Sequence, residues 1–248
     1  MPRRLDWLTE LYERHAELYD LAFDWDIEAE VDWLRGQLGP DCRSILEPGC
    51  GSGRVLAGLA RRGLEVAGID RSPAMVELAR ARLGGNADIV LADMTDFDLG
   101  RSFDGAVCPI NTLAHLSPRE LGQHLTRMGR HLRPGARYVV QLQLGGEAHS
   151  SRWETDTVRV AWTTESVDFS AGRQQQRSRI EVLAGERAGE VVEELHDVTL
   201  WTPEAWAAAV AASPFTPTAV FDGAEEGYPA VRPGSEGRML WHQLTREG

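Results

Sequence analysis

Apolar residues recur along the chain in two patterns. Between residues 44 and 144, short apolar runs alternate with stretches in which apolar residues return every three or four positions. The runs predict strands, and the longer period predicts amphipathic helices. Strands that alternate with helices are typical of βαβ units, whose right-handed crossovers place helices on both faces of a parallel sheet. The central part of the chain is therefore predicted to be α/β.

The elements of this part follow from the pattern. Strands are predicted at 44–47, 64–70, 89–93, 103–110 and 137–144, and helices at 55–62, 73–83 and 118–132. Residues 5–38 are predicted to be helical and to end at Gly39-Pro40. Arg133-Pro134-Gly135 is expected to stop the helix at 118–132.

From about residue 146 to 200 the pattern changes. Three strands, at 158–167, 175–183 and 191–200, follow one another with turn residues and no helix between them, so we expect them to pair antiparallel as an insertion. The acidic pair Glu193-Glu194 reads as a solvated strand end. A helix at 203–212 then begins with Thr202 as cap and Pro203 at its first position, and strands follow at 216–221 and 238–244.

Composition narrows the classes of function. The net charge of −12 disfavours nucleic acid as a partner and, more weakly, an anionic membrane. Three cysteines without paired spacing give no disulfide framework and no metal motif, which favours the cytoplasm. No apolar run approaches the ~20 residues of a membrane span, and no signal sequence precedes the first predicted helix.

The first candidate for chemistry is a glycine-rich loop. Gly49, Gly51 and Gly53 follow a predicted strand and precede a predicted helix. Glycines let a backbone approach a ligand closely, although tight turns use them as well. Dinucleotide-binding loops have the spacing G-x-G-x-x-G. Here the spacing is G-x-G-x-G, with Arg54 where that third glycine would be.

Acidic residues stand at the ends of the next two predicted strands. Asp70 ends the second, where a carboxylate can accept hydrogen bonds from both hydroxyls of a ribose. Asp93 ends the third, where it can accept from an adenine amino group while Met94 packs on the ring. Each could be a turn residue by itself, but together with the glycine loop they predict a nucleoside-like ligand.

These segments resemble the class I S-adenosylmethionine (SAM)-dependent methyltransferases. The likeness lies in residues 46–54, 68–72, 92–94, 103–104 and 132–135. It implies an α/β, Rossmann-like, doubly wound sheet of seven strands in the order 3-2-1-4-5-7-6, the last antiparallel, with the antiparallel β insertion after strand five. It also implies SAM as cofactor, held by residues of the loop and of the strand ends: Glu47, Gly49, Cys50, Gly51, Asp70, Arg71, Met75, Asp93, Met94 and Asn111.

The same resemblance suggests four segments. Residues 1–40 would form an N-terminal helical lid and 41–145 the SAM-binding core. Residues 146–200 would be the insertion on the acceptor side, and 201–248 would complete the core sheet. We expect a monomer or a homodimer.

For the reaction, we expect a methyl group to pass from SAM to a nitrogen or oxygen of a small molecule by in-line displacement. His115, after the fourth strand, is the candidate base, since its ordinary pKa lies near neutrality. Tyr12 and Tyr19 are candidate active-site residues of the lid. Trp153, Trp162 and Arg179 of the insertion are candidate walls of the acceptor pocket.

Other functions stay open at this point. An NAD-type oxidoreductase would use a similar loop, although the glycine spacing disfavours it. A non-catalytic SAM- or nucleoside-binding protein would keep the loop without turnover. Methylation of protein or RNA is disfavoured by the acidic charge. No cluster of His, Cys and Asp has the spacing of a metal site.

Overall fold

A computed structural model describes residues 10–146 and 148–248. Residues 5–9 of the first predicted helix lie outside these ranges. The chain divides into two units. The larger contains residues 27–145 and 201–248, and the smaller contains the residues up to 26 together with 146–200.

The helices and strands have the following bounds in chain order. The helices are α1 Glu10–Glu13, α2 Ala16–Ala22, α3 Glu28–Leu38, α4 Arg54–Arg61, α5 Pro73–Leu83, α6 Pro118–His131 and α7 Pro203–Ala211. The strands are β1 Ser44–Pro48, β2 Glu65–Asp70, β3 Asp88–Leu91, β4 Phe103–Cys108, β5 Leu132–Leu144, β6 Ser150–Glu154, β7 Val158–Asp168, β8 Arg173–Val182, β9 Val191–Thr199, β10 Phe215–Asp222 and β11 Gly237–Arg246.

The larger unit is built on one seven-stranded sheet. Its order is β3-β2-β1-β4-β5-β11-β10. The strands from β1 to β5 pair in parallel, whereas β11 is antiparallel to both β5 and β10. This is the order 3-2-1-4-5-7-6 with an antiparallel last strand, so the predicted fold class is confirmed.

Local sequence signals set the helices around this sheet. The hydroxyl of Ser72 accepts a hydrogen bond from Met75 N, and Pro73 occupies the first turn of α5. Ser117 and Glu120 form a reciprocal capping box at α6. Thr202 caps α7, as predicted. These three helices therefore begin where a side chain satisfies backbone N–H groups that have no partner within the helix.

Several predicted boundaries in the larger unit differ from the structure, among them the end of β4, which is Cys108 and not residue 110. Pro134-Gly135 does not end an element, because β5 already begins at Leu132. Pairing between β4 and β5 shifts between Phe103–Leu132 and Gly105–Arg137, and this irregularity accommodates the proline and a glycine at φ 81°. Strand β3 ends at Leu91, so Asp93 lies in the following loop.

The N-terminal region is not one helix. Within the described residues it forms α1, α2 and α3, and α2 ends at Ala22. The segment after it contains Asp24 and Asp26, whose short polar side chains compete for backbone hydrogen bonds and so disfavour helix.

The smaller unit contains a four-stranded antiparallel sheet in the order β6-β7-β8-β9. Its buried residues alternate along the strands, as one covered face requires. The antiparallel insertion is confirmed, although the sequence pattern missed β6. Glu194 is not a solvated strand end: its two carboxylate oxygens accept hydrogen bonds from Glu10 N and Leu11 N, each at 2.9 Å. A carboxylate at a helix N-terminus is stabilised by the free N–H groups there.

Candidate active site

The glycine loop between β1 and α4 has a left-handed backbone. Gly49, Gly51 and Gly53 have φ values of 66°, 52° and 75°. An L-residue with a side chain is strained in this region, so the conformation itself requires glycine. The loop ends at Gly53, which precedes the first residue of α4 and leaves the N–H groups of that helix directed towards the loop.

Space around the loop differs from one glycine to the next. A Cβ atom at Gly49 would lie 2.6 Å from Cγ2 of Thr112 and 3.6 Å from Cε of Met94. A Cβ at Gly51 would meet no atom within 4 Å. The loop is therefore packed tightly against the chain at Gly49 and open at Gly51, as a cradle for a ligand needs.

Asp70, at the end of β2, fixes this loop. Its Oδ2 accepts a hydrogen bond from Gly51 N at 2.8 Å, and its Oδ1 accepts one from Ser72 N at 2.9 Å. Burial raises the pKa of the Asp70 carboxyl, against the lowering effect of these backbone donors. Each carboxylate oxygen has a second lone pair, so Asp70 can also accept from hydroxyl groups of a ligand.

Glu47 lies under the loop, with only 3% of its surface exposed. Its Oε2 atom has no hydrogen-bond partner among the residues described. Burial raises the pKa of the Glu47 carboxyl well above its ordinary value, and the charges of Asp70 and Glu30 raise it further. A buried carboxylate oxygen without a donor suits a cationic donor such as an ammonium group.

The loop after β3 carries Asp93 and Met94, both half-buried. Oδ1 of Asp93 accepts hydrogen bonds from Thr95 N at 2.8 Å and from the Thr95 hydroxyl at 2.6 Å. The Met94 methyl group lies beside Gly49. The structure thus brings together the strand-end residues that the sequence singled out separately.

Three other predicted cofactor residues occupy different surroundings. Cys50 is buried against Gly68, so it can reach a ligand only through its backbone. Met75 is 2% exposed, with its backbone N–H bonded to Ser72. Arg71 is half-buried.

The loop after β4 is strained. Ile110 and Asn111 both have left-handed backbones, with φ values of 56° and 55°. For a β-branched residue this is a rare conformation that the surroundings must impose. Ile110 N donates to Oε1 of Gln141 at 2.7 Å, and Gln143 N donates to Oδ1 of Asn111 at 2.9 Å. The sequence makes Asn111 a candidate, but it does not indicate Gln141 or Gln143, for which no local motif exists.

His115 ends a short 3-10 turn, Thr112–His115, that follows this loop. Its side chain is half-buried. The turn is held by Trp201, whose Nε1 donates to Leu113 O at 3.4 Å. His115 is therefore carried on the same strained connection as Asn111.

The remaining candidates lie in the smaller unit. The rings of Tyr12 and Tyr19 meet edge to face, with centroids 5.1 Å apart. Trp153 and Arg179 line one groove of about 450 Å³ on the four-stranded sheet. Trp162 instead stacks on His196, with ring centroids 4.9 Å apart and planes 9° apart. Trp153 and Trp162 both pack on the ring of Phe23, with centroids 5.7 and 6.0 Å from it.

Comparison with known proteins identifies the family. Residues 45–135 match a family described as a methyltransferase domain. The chain is 34% identical over 212 residues, 80% of this chain and 82% of the relative, to dTDP-3-amino-3,6-dideoxy-alpha-D-glucopyranose N,N-dimethyltransferase from Streptomyces fradiae. It is 31% identical to the corresponding 3-amino-3,4,6-trideoxy enzyme of Streptomyces venezuelae, covering 68% of this chain and 74% of the relative.

The chain belongs to the SAM-dependent methyltransferases.

Solved structures agree with this membership. The methyltransferase superposes on the sugar N-methyltransferase KedS8 from Streptoalloteichus with a TM-score of 0.72 and 26% identity, over 94% of this chain and 92% of that one. It superposes on SAM-bound CalS10, an amino pentose methyltransferase from Micromonospora echinaspora, with a TM-score of 0.70 and 26% identity, over 94% and 96% of the two chains. SAM is therefore the cofactor, and the protein is a methyltransferase rather than an oxidoreductase or a non-catalytic binding protein.

The residues present fit SAM. The open side of Gly51 lets a ligand lie along the backbone of the loop. The unpartnered oxygen of Glu47 suits the ammonium group of SAM, and the acceptor oxygens of Asp70 suit its hydroxyl groups. In the described ranges, no three or more His, Cys, Asp or Glu side chains are grouped to hold a metal ion. No helix among the residues described is long and apolar enough to cross a bilayer.

Proposed function

We propose that the methyltransferase methylates the amino nitrogen of an amino sugar attached to a nucleoside diphosphate. One observation carries this proposal: the likeness to a nucleotide-sugar N,N-dimethyltransferase extends over 212 residues, far beyond the 45–135 methyltransferase domain. Likeness restricted to the cofactor half would support any acceptor. Likeness over 80% of the chain supports a related acceptor.

The proposed cofactor contacts lie in three places, one for each part of SAM. Glu47 would take the ammonium group of the methionine end, and the backbone of Gly49 and Gly51 would lie along it. Asp70 would accept from the ribose hydroxyls while its backbone bonds keep the loop in place. Asp93 and Met94 would hold the adenine.

Bound SAM supplies a methyl group on a sulfonium, which an amine attacks directly. The protein then mainly contributes alignment of the nitrogen with the methyl carbon, since proximity alone is worth several kcal/mol. A protonated amine cannot attack, so a base nearby helps to remove the proton. We assign the removal of this proton to His115. We retain Tyr12 and Tyr19 as candidates for acceptor binding.

The test uses labelled SAM and a matched set of dTDP-sugars. The set contains a 3-amino and a 4-amino sugar, and the corresponding sugars with hydroxyl in place of the amine. We expect mass spectrometry to find one or two added methyl groups on an amino sugar and none on the hydroxyl analogues. Methylation of the hydroxyl analogues alone, or SAM binding without turnover of any member, would contradict the proposal.

A further inference from the structure

A buried histidine and a buried tyrosine are hydrogen-bonded to each other in the larger unit. His124 on α6 and Tyr138 on β5 are both 0% exposed. Nδ1 of His124 lies 3.0 Å from Met94 O, and Nε2 lies 2.8 Å from the Tyr138 hydroxyl. Neither side chain has a role in the site described above.

The partners fix the position of each proton. A carbonyl oxygen only accepts, so Nδ1 of His124 carries the hydrogen and donates to Met94 O. Nε2 then has a lone pair, and the Tyr138 hydroxyl donates to it. Burial lowers the pKa of His124 to about 4, which keeps the ring neutral at physiological pH. One tautomer therefore satisfies both bonds.

A buried thiol lies on the strand between β1 and β5. Sγ of Cys108 on β4 donates to Pro48 O at 3.6 Å. Burial raises the pKa of Cys108 to about 12, so the thiol keeps its proton. Pro48 directly precedes Gly49, so this thiol is hydrogen-bonded to the backbone at the start of the glycine loop.

The loop that contains Met94 meets the glycine loop at the site. The methyl group of Met94 lies 3.6 Å from the position of a Cβ at Gly49. Two apolar side chains of similar volume could fill the space of His124 and Tyr138 without the cost of burying polar groups. What the polar pair provides in addition is a directional bond that fixes the carbonyl of Met94.

We propose that His124 and Tyr138 are positioning residues for SAM, because their hydrogen bonds hold the Asp93–Met94 loop at a set distance from the glycine loop. The inference rests on the proposed placement of adenine at Asp93 and Met94. It assigns no contact with the cofactor to either residue. Their effect passes through the backbone of Met94.

Tyr138→Phe removes only the hydroxyl, and His124→Leu removes both ring nitrogens. We expect each change to weaken SAM binding about 3- to 10-fold, the range for loss of a neutral hydrogen bond. The double variant should bind SAM no more weakly than the more affected single variant, because the two changes break the same series of hydrogen bonds. The KM for SAM should rise while kcat at saturating SAM stays within about twofold.

Two further measurements separate positioning from support of the core. 5′-Methylthioadenosine contains the nucleoside but not the ammonium group, so its inhibition constant should rise by the same factor as the Kd of SAM. His124→Asn retains a donor near Nδ1 and should recover much of the lost affinity, whereas His124→Gln should not.

Val139→Ala is the matched control. Val139 is buried beside Tyr138 on β5, and its side chain takes no part in these hydrogen bonds. It should lower the melting temperature at least as much as Tyr138→Phe and leave the Kd of SAM unchanged. Equal effects of the two variants on Kd, or unchanged inhibition by 5′-methylthioadenosine, would overturn the proposal. Because the readout is cofactor affinity, failure to methylate amino sugars would refute only the proposed acceptor.

Discussion

Asp70 combines two tasks in one side chain, since it fixes the glycine loop through backbone bonds and is proposed to hold the ribose. We expect Asp70→Ala to weaken SAM binding about 10- to 100-fold, the range for loss of hydrogen bonds to a charged acceptor. Isothermal titration calorimetry measures this directly. Asp88→Ala, an exposed carboxylate on β3, is the control and should leave the affinity unchanged. Equal affinity of Asp70→Ala and the parent enzyme would refute the ribose assignment.

Glu47 should separate stability from binding. Its pKa is raised by burial, so the ionised form is disfavoured in the folded protein and costs stability at neutral pH. Glu47→Gln removes that charge and should raise the urea midpoint at pH 7. It should also weaken SAM binding roughly 10-fold, because an amide is a poorer partner for an ammonium group. A variant that lost stability and affinity together would show that Glu47 is structural only.

His115 is tested by its effect on turnover. If it removes the proton from the amine, His115→Asn should lower kcat about 100-fold or more, the smaller end of the range for acid–base catalysis. The KM for SAM should not change. The pH profile of kcat should lose its rise near neutrality. A small fall in kcat with an unchanged pH profile would indicate that His115 only positions the acceptor or its loop.

At the scale of elements, the turn from β1 to α4 depends on both the backbone angle and the space at Gly49. Gly49→Ala adds a Cβ 2.6 Å from Thr112, so we expect about 1–3 kcal/mol of destabilisation and weaker SAM binding. Gly63→Ala is the matched control, because its φ of 83° is also left-handed but its Cβ would meet open space. Gly63→Ala should lose less stability in the urea titration than Gly49→Ala, and it should leave SAM binding unchanged.

The sequence predicted those elements whose signals are local. Helix α5 has the predicted bounds, because Ser72 and Pro73 mark its start within four residues of sequence. Strand β6 was missed because its five residues are recognisable only through pairing with β7. The bulged start of β5 was missed for the same reason.

The same difference between local and long-range signals applies to the residues of the candidate site. Asp70 and Asp93 were found because each stands near the end of its own apolar run. Gln141 was missed, since its bond to Ile110 joins residues 31 positions apart. The bonds from Glu194 to the N-terminus of α1 span more than 180 residues, and no pattern in the sequence marks them.

At the scale of the whole molecule, the lowered pKa values of three buried histidines lead us to expect that the protein loses stability in acid. Burial lowers the pKa values of His124, His196 and His242 to about 4, below the ordinary value of 6.5. Unfolded chains would bind protons first, so the stability that these residues contribute is complete above pH 6.5 and is lost as the pH falls towards 4. The raised pKa values of Glu47 and Asp70 act in the opposite direction.

Urea midpoints measured between pH 7 and pH 4 should therefore fall, with a net uptake of one to three protons on unfolding. His242→Gln should reduce this slope. A midpoint that stayed level or rose over this range would show that the buried histidines do not govern the acid behaviour.

The antiparallel pairing of β11 with β5 has a consequence for synthesis. Residues 137–144 of β5 must wait for residues 237–245, about a hundred positions later, to cover their open edge. At the usual 5–20 residues per second, the ribosome leaves this apolar edge without its neighbour for roughly 5 to 20 s. During that interval the nascent chain exposes Val139, Val140 and Leu142, and it should depend on chaperones at this stage more than at any later one.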